Sequence, residues 1–347
     1  MLKKQWIAGI AGGFLGVVLV SQAFSCSRVL INDVAHDSVM VGRSMDWEED
    51  MHTNLLVLPR QMPHDGGERE NDPNGNWVRW SSKYGSVVAT GYENFITDGL
   101  NEAGFAAHLL WLEDADYGVR DSKRPGLSLT LWLLYYLDNF KTVEEAVRFS
   151  KASSIQVTPY FHEATQQWGK MHLVIDDATG DSAILEYVNG TLQIYHGPQY
   201  RVATNEPTYD QHLAHLKKYE GFGGTRHLPG RFDAKSRFVR ANFYAKVLPD
   251  YTRASQRLVE VLAILNNVAY PYTRIDETQS IWRIVSDLRK RVYYFQASKT
   301  QNLLWVDMKR LDFKTPVVRI LDMVHHPELV GDVTGKLEVF EGDAFHI

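Results

Sequence analysis

A single cysteine, Cys26, stands in a chain of 347 residues. With no second cysteine there is neither a disulfide framework nor a thiolate-built structural zinc site. Basic residues are also short: 37 Lys and Arg face 42 Asp and Glu, for a formal net charge of −5. A protein that grips a phosphate backbone carries a basic surplus, so nucleic acid is not an expected partner. Internal repeats, low-complexity tracts and runs of like charge are absent, and the disordered and fibrous classes drop out. Thirteen histidines are present, but none has H-E-x-x-H spacing, and His325-His326 reads as surface or core rather than as a ligand pair. No metal is therefore expected. Gly221–Gly224 lacks the strand-loop-helix setting of a phosphate loop, and no cofactor is expected either.

What is present is ordinary globular composition, 44% hydrophobic and 23% charged. The first 25 residues stand apart. Lys3 and Lys4 open them, Ile7 to Val20 is apolar or glycine, and no charged side chain occurs from Gln5 to Ser27. This is the layout of a cleaved secretory leader at 1–25, with Ala23-Phe24-Ser25 fitting the small-residue cleavage pattern. Cleavage there makes Cys26 the first residue of an exported, periplasmic or secreted protein with no stable membrane anchor. Three alternatives remain open at this stage: a retained membrane anchor, a lipoprotein signal that would acylate Cys26, and a cut at another position. Phe24 stands where a lipoprotein signal prefers a small residue. A lone thiol in an oxidising compartment is a liability unless it is used, and its place directly after the expected cut argues for use.

Residues 26–347 read as one domain. Short β-prone runs at Ser27–Ile31, Ser38–Arg43, Asn54–Leu58, Asn76–Trp80, Ser86–Thr90 and Phe105–Trp111 are separated by turn-forming stretches such as His64–Gly67 and Asn71–Gly75. Leu127–Asp138 and Val143–Ser150 have helical length and apolar content. Strands follow at Met171–Asp176, Ser182–Tyr187, Thr191–Tyr195 and Arg201–Thr204. Helices are expected near Tyr209–Tyr219, Ala234–Leu248 and Ser255–Val268, and strands again at Ser280–Asp287, Val292–Gln296 and Leu303–Asp307. Blocks of strands alternating with blocks of helices favour a layered α+β fold over a parallel α/β sheet.

A cysteine at a free N-terminus carries its own proton acceptor, because an α-amine titrates near about 7.7–8.0 while an internal amide nitrogen has no basicity. The run Gly42-Arg43-Ser44-Met45-Asp46-Trp47 places a cation and a carboxylate at the end of a predicted strand. Such groups near a terminal cysteine favour thiolate and orient the amine. From spacing alone, a surface ion pair flanking a turn is the better account of Arg43 and Asp46.

Five blocks, in order, resemble the choloylglycine hydrolase, or linear amide C–N hydrolase, family, which contains penicillin V acylases and conjugated bile acid hydrolases. They are Cys26-Ser27-Arg28; Gly42 to Trp47; Asp98-Gly99-Leu100-Asn101-Glu102-Ala103-Gly104; Thr204-Asn205-Glu206-Pro207-Thr208-Tyr209; and Leu228-Pro229-Gly230 with Ser236-Arg237-Phe238-Val239-Arg240-Ala241. The resemblance implies a four-layer αββα N-terminal-nucleophile hydrolase fold with two stacked antiparallel sheets between helical layers. It implies Cys26 as nucleophile, Arg43 and Asp46 beside its thiol and amine, Asn205 as an oxyanion-hole donor, and Arg237 as a second active-site arginine. Trp111 falls where the family supplies a backbone N–H to the same hole. Read without the resemblance, Asn205 is a helix cap and Arg237 and Arg240 a solvated basic face; Arg240 is taken as structural. Trp47 and Trp111 are either substrate-contacting aromatic walls or core filler.

The sequence departs from the family in a short segment between Asn205 and Arg237, in Arg231 where an acid is common, and in Trp111 itself. These features resemble the Gram-negative branch, whose members are exported and include enzymes that cleave penicillin V and some that take N-acyl homoserine lactones. The resemblance thus implies a small-molecule amide substrate of that kind and a homo-oligomer, with a tetramer as the family's form. The competing readings are a conjugated bile acid hydrolase of the same family and a non-catalytic periplasmic or lipid-anchored binding protein.

Overall fold

Hydrophobic strands that bury both faces need a cover on each side, and this chain supplies one sheet for the other and helices for the outer faces. The computed structural model describes residues 26–67, 75–92, 95–162, 166–249, 253–271 and 278–342. The leader at 1–25 and residues 71–74 of the turn expected at Asn71–Gly75 lie outside them.

Sixteen strands make two large sheets. They are β1 (Ser27–Asp33), β2 (Ser38–Trp47), β3 (Leu55–Leu58), β4 (Ser86–Gly91), β5 (Phe95–Asn101), β6 (Ala106–Trp111), β7 (Met171–Asp176), β8 (Ser182–Val188), β9 (Thr191–His196), β10 (Val202–Thr204), β11 (Gln279–Asp287), β12 (Val292–Ala297), β13 (Leu303–Asp307), β14 (Arg319–Leu321), β15 (Gly331–Asp332) and β16 (Glu338–Val339). The first sheet runs β10-β1-β2-β11-β12-β13-β15 and the second β9-β8-β7-β6-β5-β4-β3-β14-β16. Neighbours are antiparallel except β13 and β15, which pair in parallel. The β8–β9 hairpin turns on Asn189 and Gly190, with φ of 49° and 71°. Two successive positive φ angles are what a tight twisted hairpin requires and what Asn-Gly adopts readily.

Helices cover the outer faces. α1 (Leu129–Asn139) is buried from Leu129 to Asp138, because it has no polar face to offer water, and it packs on the second sheet. At Gly99 on β5 a Cβ would lie 2.5 Å from Leu137 Cδ1, so the helix rests on a strand stripped of its side chain. α2 (Val143–Ala152) begins at Thr142, whose hydroxyl accepts the Glu145 N–H at 3.2 Å; that cap satisfies a backbone donor the helix cannot. α3 (Tyr209–Leu216) follows β10. α4 (Ala234–Val247) and α5 (Ala254–Val268) cover the first sheet. There Gly42 on β2 plays the part of Gly99, with a Cβ placed 2.4 Å from Val261 Cγ1. One apolar cluster joins α4 and α5, the first sheet and the inner face of the second; another joins the outer face of the second sheet to α1 and α2. The expected four-layer αββα arrangement is thus observed.

The expected strands and helices are found with shifted ends, except that Asn76–Trp80 is reduced to a three-residue strand at Arg79–Ser81 outside the two large sheets. β2 runs on to Trp47, four residues past the end read at Arg43. β5 was not expected: Asp98, Gly99 and Asn101 are poor strand formers, and pairing with β4 and β6 overrides their preference.

Candidate active site

Alternation along a strand sends odd and even residues to opposite faces, and the site uses both faces of the first sheet. On β2, Arg43 and Met45 point to the space between the sheets, while Gly42, Ser44 and Asp46 point to the helical layer. Cys26 sits at the start of β1, 3% exposed, with Sγ 3.6 Å from Met45 Sδ and 3.8 Å from Arg43 Nη2. Arg43 crosses to the second sheet. Its Nη2 donates to Leu109 O at 2.5 Å, its Nη1 donates to Thr97 O, and Nη1 lies 3.4 Å from Asp98 Oδ2. The Trp282 ring lies 5.3 Å from its guanidinium carbon.

On the helical side, Asp233 caps α4 by accepting the Ser236 N–H at 3.0 Å. This sets Arg237 on the first turn, fully buried and aimed at the sheet. Its Nη1 donates to Cys26 O at 2.7 Å and to Ser27 Oγ at 2.5 Å, and lies 3.5 Å from Asp46 Oδ2. Its Nη2 donates to Asn205 Oδ1 at 3.4 Å. One guanidinium thus ties together the backbone of Cys26, Asp46 and Asn205. Asp46 also accepts from Ser280 Oγ across β11. Burial pushes the Asp46 carboxyl up to about 6, against the pull of Arg237, Ser280, Arg283 and Ser44.

Asn205 directly follows β10 and is 0% exposed. His212 Nε2, on α3, lies 2.8 Å from its carbonyl oxygen, and burial holds His212 down to about 3, neutral. The Asn205 amide oxygen is turned to Arg237, which leaves Nδ2 with no hydrogen-bond partner among the described residues. Buried amide donors are rarely left unpaired without a use.

Trp47 and Trp111 meet edge to face, with centroids 6.3 Å apart. Trp47 Nε1 donates to Tyr92 OH at 2.5 Å, whose hydroxyl donates to Glu49 at 2.6 Å. Trp111 Nε1 donates to Glu113 at 3.1 Å. Both indoles are therefore fixed by polar partners at the end of the strands that carry Arg43 and Leu109. The fold brings Cys26, Arg43, Asp46, Asn205 and Arg237 into one linked cluster, while Arg240 turns away. Arg240 donates to Pro229 O at 3.1 Å, Arg231 O at 2.6 Å and Asn267 Oδ1 at 3.2 Å, holding the loop before α4. Arg43 and Asp46 prove to be buried, on opposite faces of one strand, rather than a surface pair. The partners not foreseen from sequence are Ser280 of Asp46, Asp98 of Arg43 and His212 of Asn205; of these only Asp98 lies in a recognisable block.

A profile described as "Linear amide C-N hydrolases, choloylglycine hydrolase family" matches residues 26–321. Penicillin V acylase of Pectobacterium atrosepticum is 34% identical over 318 residues, covering 84% of this chain and 83% of the relative. The bile salt hydrolase/transferase of Clostridium perfringens is 26% identical over 302 residues, covering 78% and 89%. Among solved structures, penicillin V acylase from Agrobacterium tumefaciens is 40% identical with a TM-score of 0.81, covering 91% of this chain and 98% of its own. Sequence, fold and the buried Cys26–Arg43–Asp46–Asn205–Arg237 cluster agree: this chain belongs to the choloylglycine hydrolase family of linear amide C–N hydrolases.

Proposed function

We propose that this enzyme is exported, that loss of residues 1–25 frees Cys26 as its N-terminal residue, and that Cys26 then opens amides such as penicillin V. The Cys26 thiolate attacks the amide carbonyl, its proton having passed to the α-amine. The oxyanion is received by Asn205 Nδ2 and, by resemblance, the backbone N–H of Trp111. The intermediate collapses as the α-ammonium gives its proton to the departing amine. Water then hydrolyses the thioester, and no cofactor takes part. Arg237 holds the Cys26 carbonyl and the Asn205 amide in one frame, and Asp46 lies on the same guanidinium.

The observation that carries this reading is the buried, unpartnered Nδ2 of Asn205, held by the same Arg237 that holds Cys26 O. A preorganised donor of that kind is what an acyl-transfer transition state needs and a resting structure does not. The family match begins at Cys26, which supports the terminus proposed here. Penicillin V is favoured as substrate because two relatives named for it are 34% and 40% identical to this chain, and because the Trp47–Trp111 wall suits an aryl acyl group. N-acyl homoserine lactones are the further substrates to test. The deciding experiment is the mass of the exported protein's first peptide, with penicillin V turnover by wild type and Cys26→Ala. An unmodified Cys26 terminus and a Cys26→Ala variant that is folded but inactive support the proposal. Retained turnover in processed Cys26→Ala, or an acylated terminus, overturns it.

A further inference from the structure

Between the sheets lies a line of charged side chains that the hydrolysis scheme above does not use. Arg43 Nη1 is 3.4 Å from Asp98 Oδ2 on β5, and Asp98 in turn accepts from Tyr293 OH at 2.8 Å and pairs with His108 Nδ1 at 2.6 Å. The other ring nitrogen of His108 is 3.5 Å from Asp176 Oδ2, and Asp176 accepts from Arg28 Nε at 2.9 Å. Every member from Arg28 to Arg43 is at most 1% exposed. Burial, partly offset by Asp98, holds His108 below the usual histidine range. With that ring neutral, two guanidinium cations are matched by two carboxylates.

Arg43 has more hydrogen bonds than its aim requires. Two backbone carbonyls, Thr97 O and Leu109 O, and the Trp282 face already fix the guanidinium. Asp98 adds charge rather than direction, because its shorter contacts go to His108 and Tyr293. We propose that Asp98, tethered by His108 and Tyr293, is a positioning residue that limits the positive charge Arg43 presents to the Cys26 thiol. This rests on the reading of Cys26 as nucleophile. The chemistry needs such a limit. In the tetrahedral intermediate the thiolate and the amine compete to leave, and a thiolate that is too well stabilised leaves first and returns the amide. A cation near the thiol must therefore help ionisation without winning that competition.

The groups that face the thiol or its charged neighbours include Arg43 and Asp46 on β2, Arg28 on β1, Arg237 on α4, Asp98 on β5, His108 on β6, Asp176 on β7, Arg283 on β11 and Tyr293 on β12. Asp98→Asn removes the charge and keeps the shape and the Oδ1 acceptor for Tyr293, while its amide N–H group meets His108 Nδ1 in the ring's other tautomer. Two rates are measured on the processed enzyme: alkylation of Cys26 by iodoacetamide against pH, read by mass spectrometry, and hydrolysis of penicillin V. The alkylation midpoint is expected to fall by roughly half to one pH unit, since an opposite charge within about 4–6 Å shifts ionisation by 1–3 units and this one acts at one remove. Over the same range, kcat is expected to drop about 10-fold or more, the usual size for outer-shell partners, with KM within two-fold. Thiol reactivity at low pH thus rises while amide hydrolysis falls. A midpoint that stays or rises, or two rates that fall together, overturns the proposal.

Should Asp98→Asn not fold, Tyr293→Phe supplies the opposite sign. It strips a donor from Asp98, concentrates the carboxylate charge on Arg43 and is expected to raise the midpoint; an unchanged or lowered midpoint refutes the idea. If alkylating wild-type Cys26 leaves hydrolysis intact, the nucleophile assignment fails instead, which the charge effect on alkylation does not require.

Discussion

Replacing Asn205 by alanine separates function from stability in a way few active-site changes do. Its Nδ2 is fully buried with no hydrogen-bond partner among the described residues, a state that costs a folded protein about 1–3 kcal/mol. Alanine removes that cost. It forfeits one contact, the 3.4 Å bond to Arg237, and leaves a small void, so the net change in stability stays within about 1 kcal/mol. That is a shift in Tm of about 2 °C for a chain of this size. If Nδ2 receives the oxyanion, its loss removes roughly 2.7–4 kcal/mol of transition-state stabilisation and kcat falls about 10²- to 10³-fold. KM changes little, because the bond strengthens only as the carbonyl oxygen becomes an anion. The assay is release of 6-aminopenicillanic acid from penicillin V, with thermal unfolding on the same preparations. A loss of kcat under 10-fold refutes the oxyanion role, and a large loss accompanied by a Tm drop beyond about 5 °C shows that Asn205 serves the fold.

Removing the Ser280 hydroxyl takes away a donor that restrains the burial-raised Asp46 carboxyl to about 6, so Ser280→Ala moves the acid limb of the kcat/KM profile to higher pH. A limb that stays in place removes Asp46 from the reacting set. Gly42→Ala places a methyl 2.4 Å from Val261 Cγ1 and 3.0 Å from Leu265 Cδ1; overpacking of this sort costs about 1–3 kcal/mol, read as a lower midpoint in urea. On the opposite side of the fold, burial pushes Asp138 up to about 8 while Trp80 Nε1 donates to it at 2.7 Å. The folded state then keeps a proton that the unfolded state loses near about 3.9, so this contribution is full below that pH and is lost as pH rises through about 8. Asp138→Asn keeps the acceptor without the titration, and its stability relative to wild type rises from pH 4 to 8; a constant difference contradicts the assignment.

Much of this site was legible because its residues sit where local pattern is strong. Cys26, Arg43 and Asp46 lie on or beside regular strands with β-branched neighbours, and Arg237 opens a helix that begins at a plain Asp233 cap. The face each would take was not legible. Arg43 and Asp46 are three residues apart, which on a strand sends them to opposite sides; the cation lies 3.8 Å from the thiol while the carboxylate lies on the helical side, 3.5 Å from Arg237. β5 escaped notice because its buried polar groups answer to partners distant in sequence: Asp98 to Tyr293, and Asn101 to the carbonyls of Leu137 and Phe140 at the end of α1. Local propensity cannot register a partner nearly 200 residues away. The same holds for Ser280 and Asp46, joined only when β11 pairs with β2.

In the proposed reaction Cys26 forms a covalent bond to the acyl group of its substrate. Rapid acid quench of the exported enzyme turning over penicillin V, followed by peptide mass spectrometry, tests this directly. The expected product is a peptide that starts at Cys26 and carries a phenoxyacetyl thioester, with the amine free. An acyl group found on any other residue, or a mature chain that begins elsewhere yet hydrolyses the substrate at full rate, would contradict it.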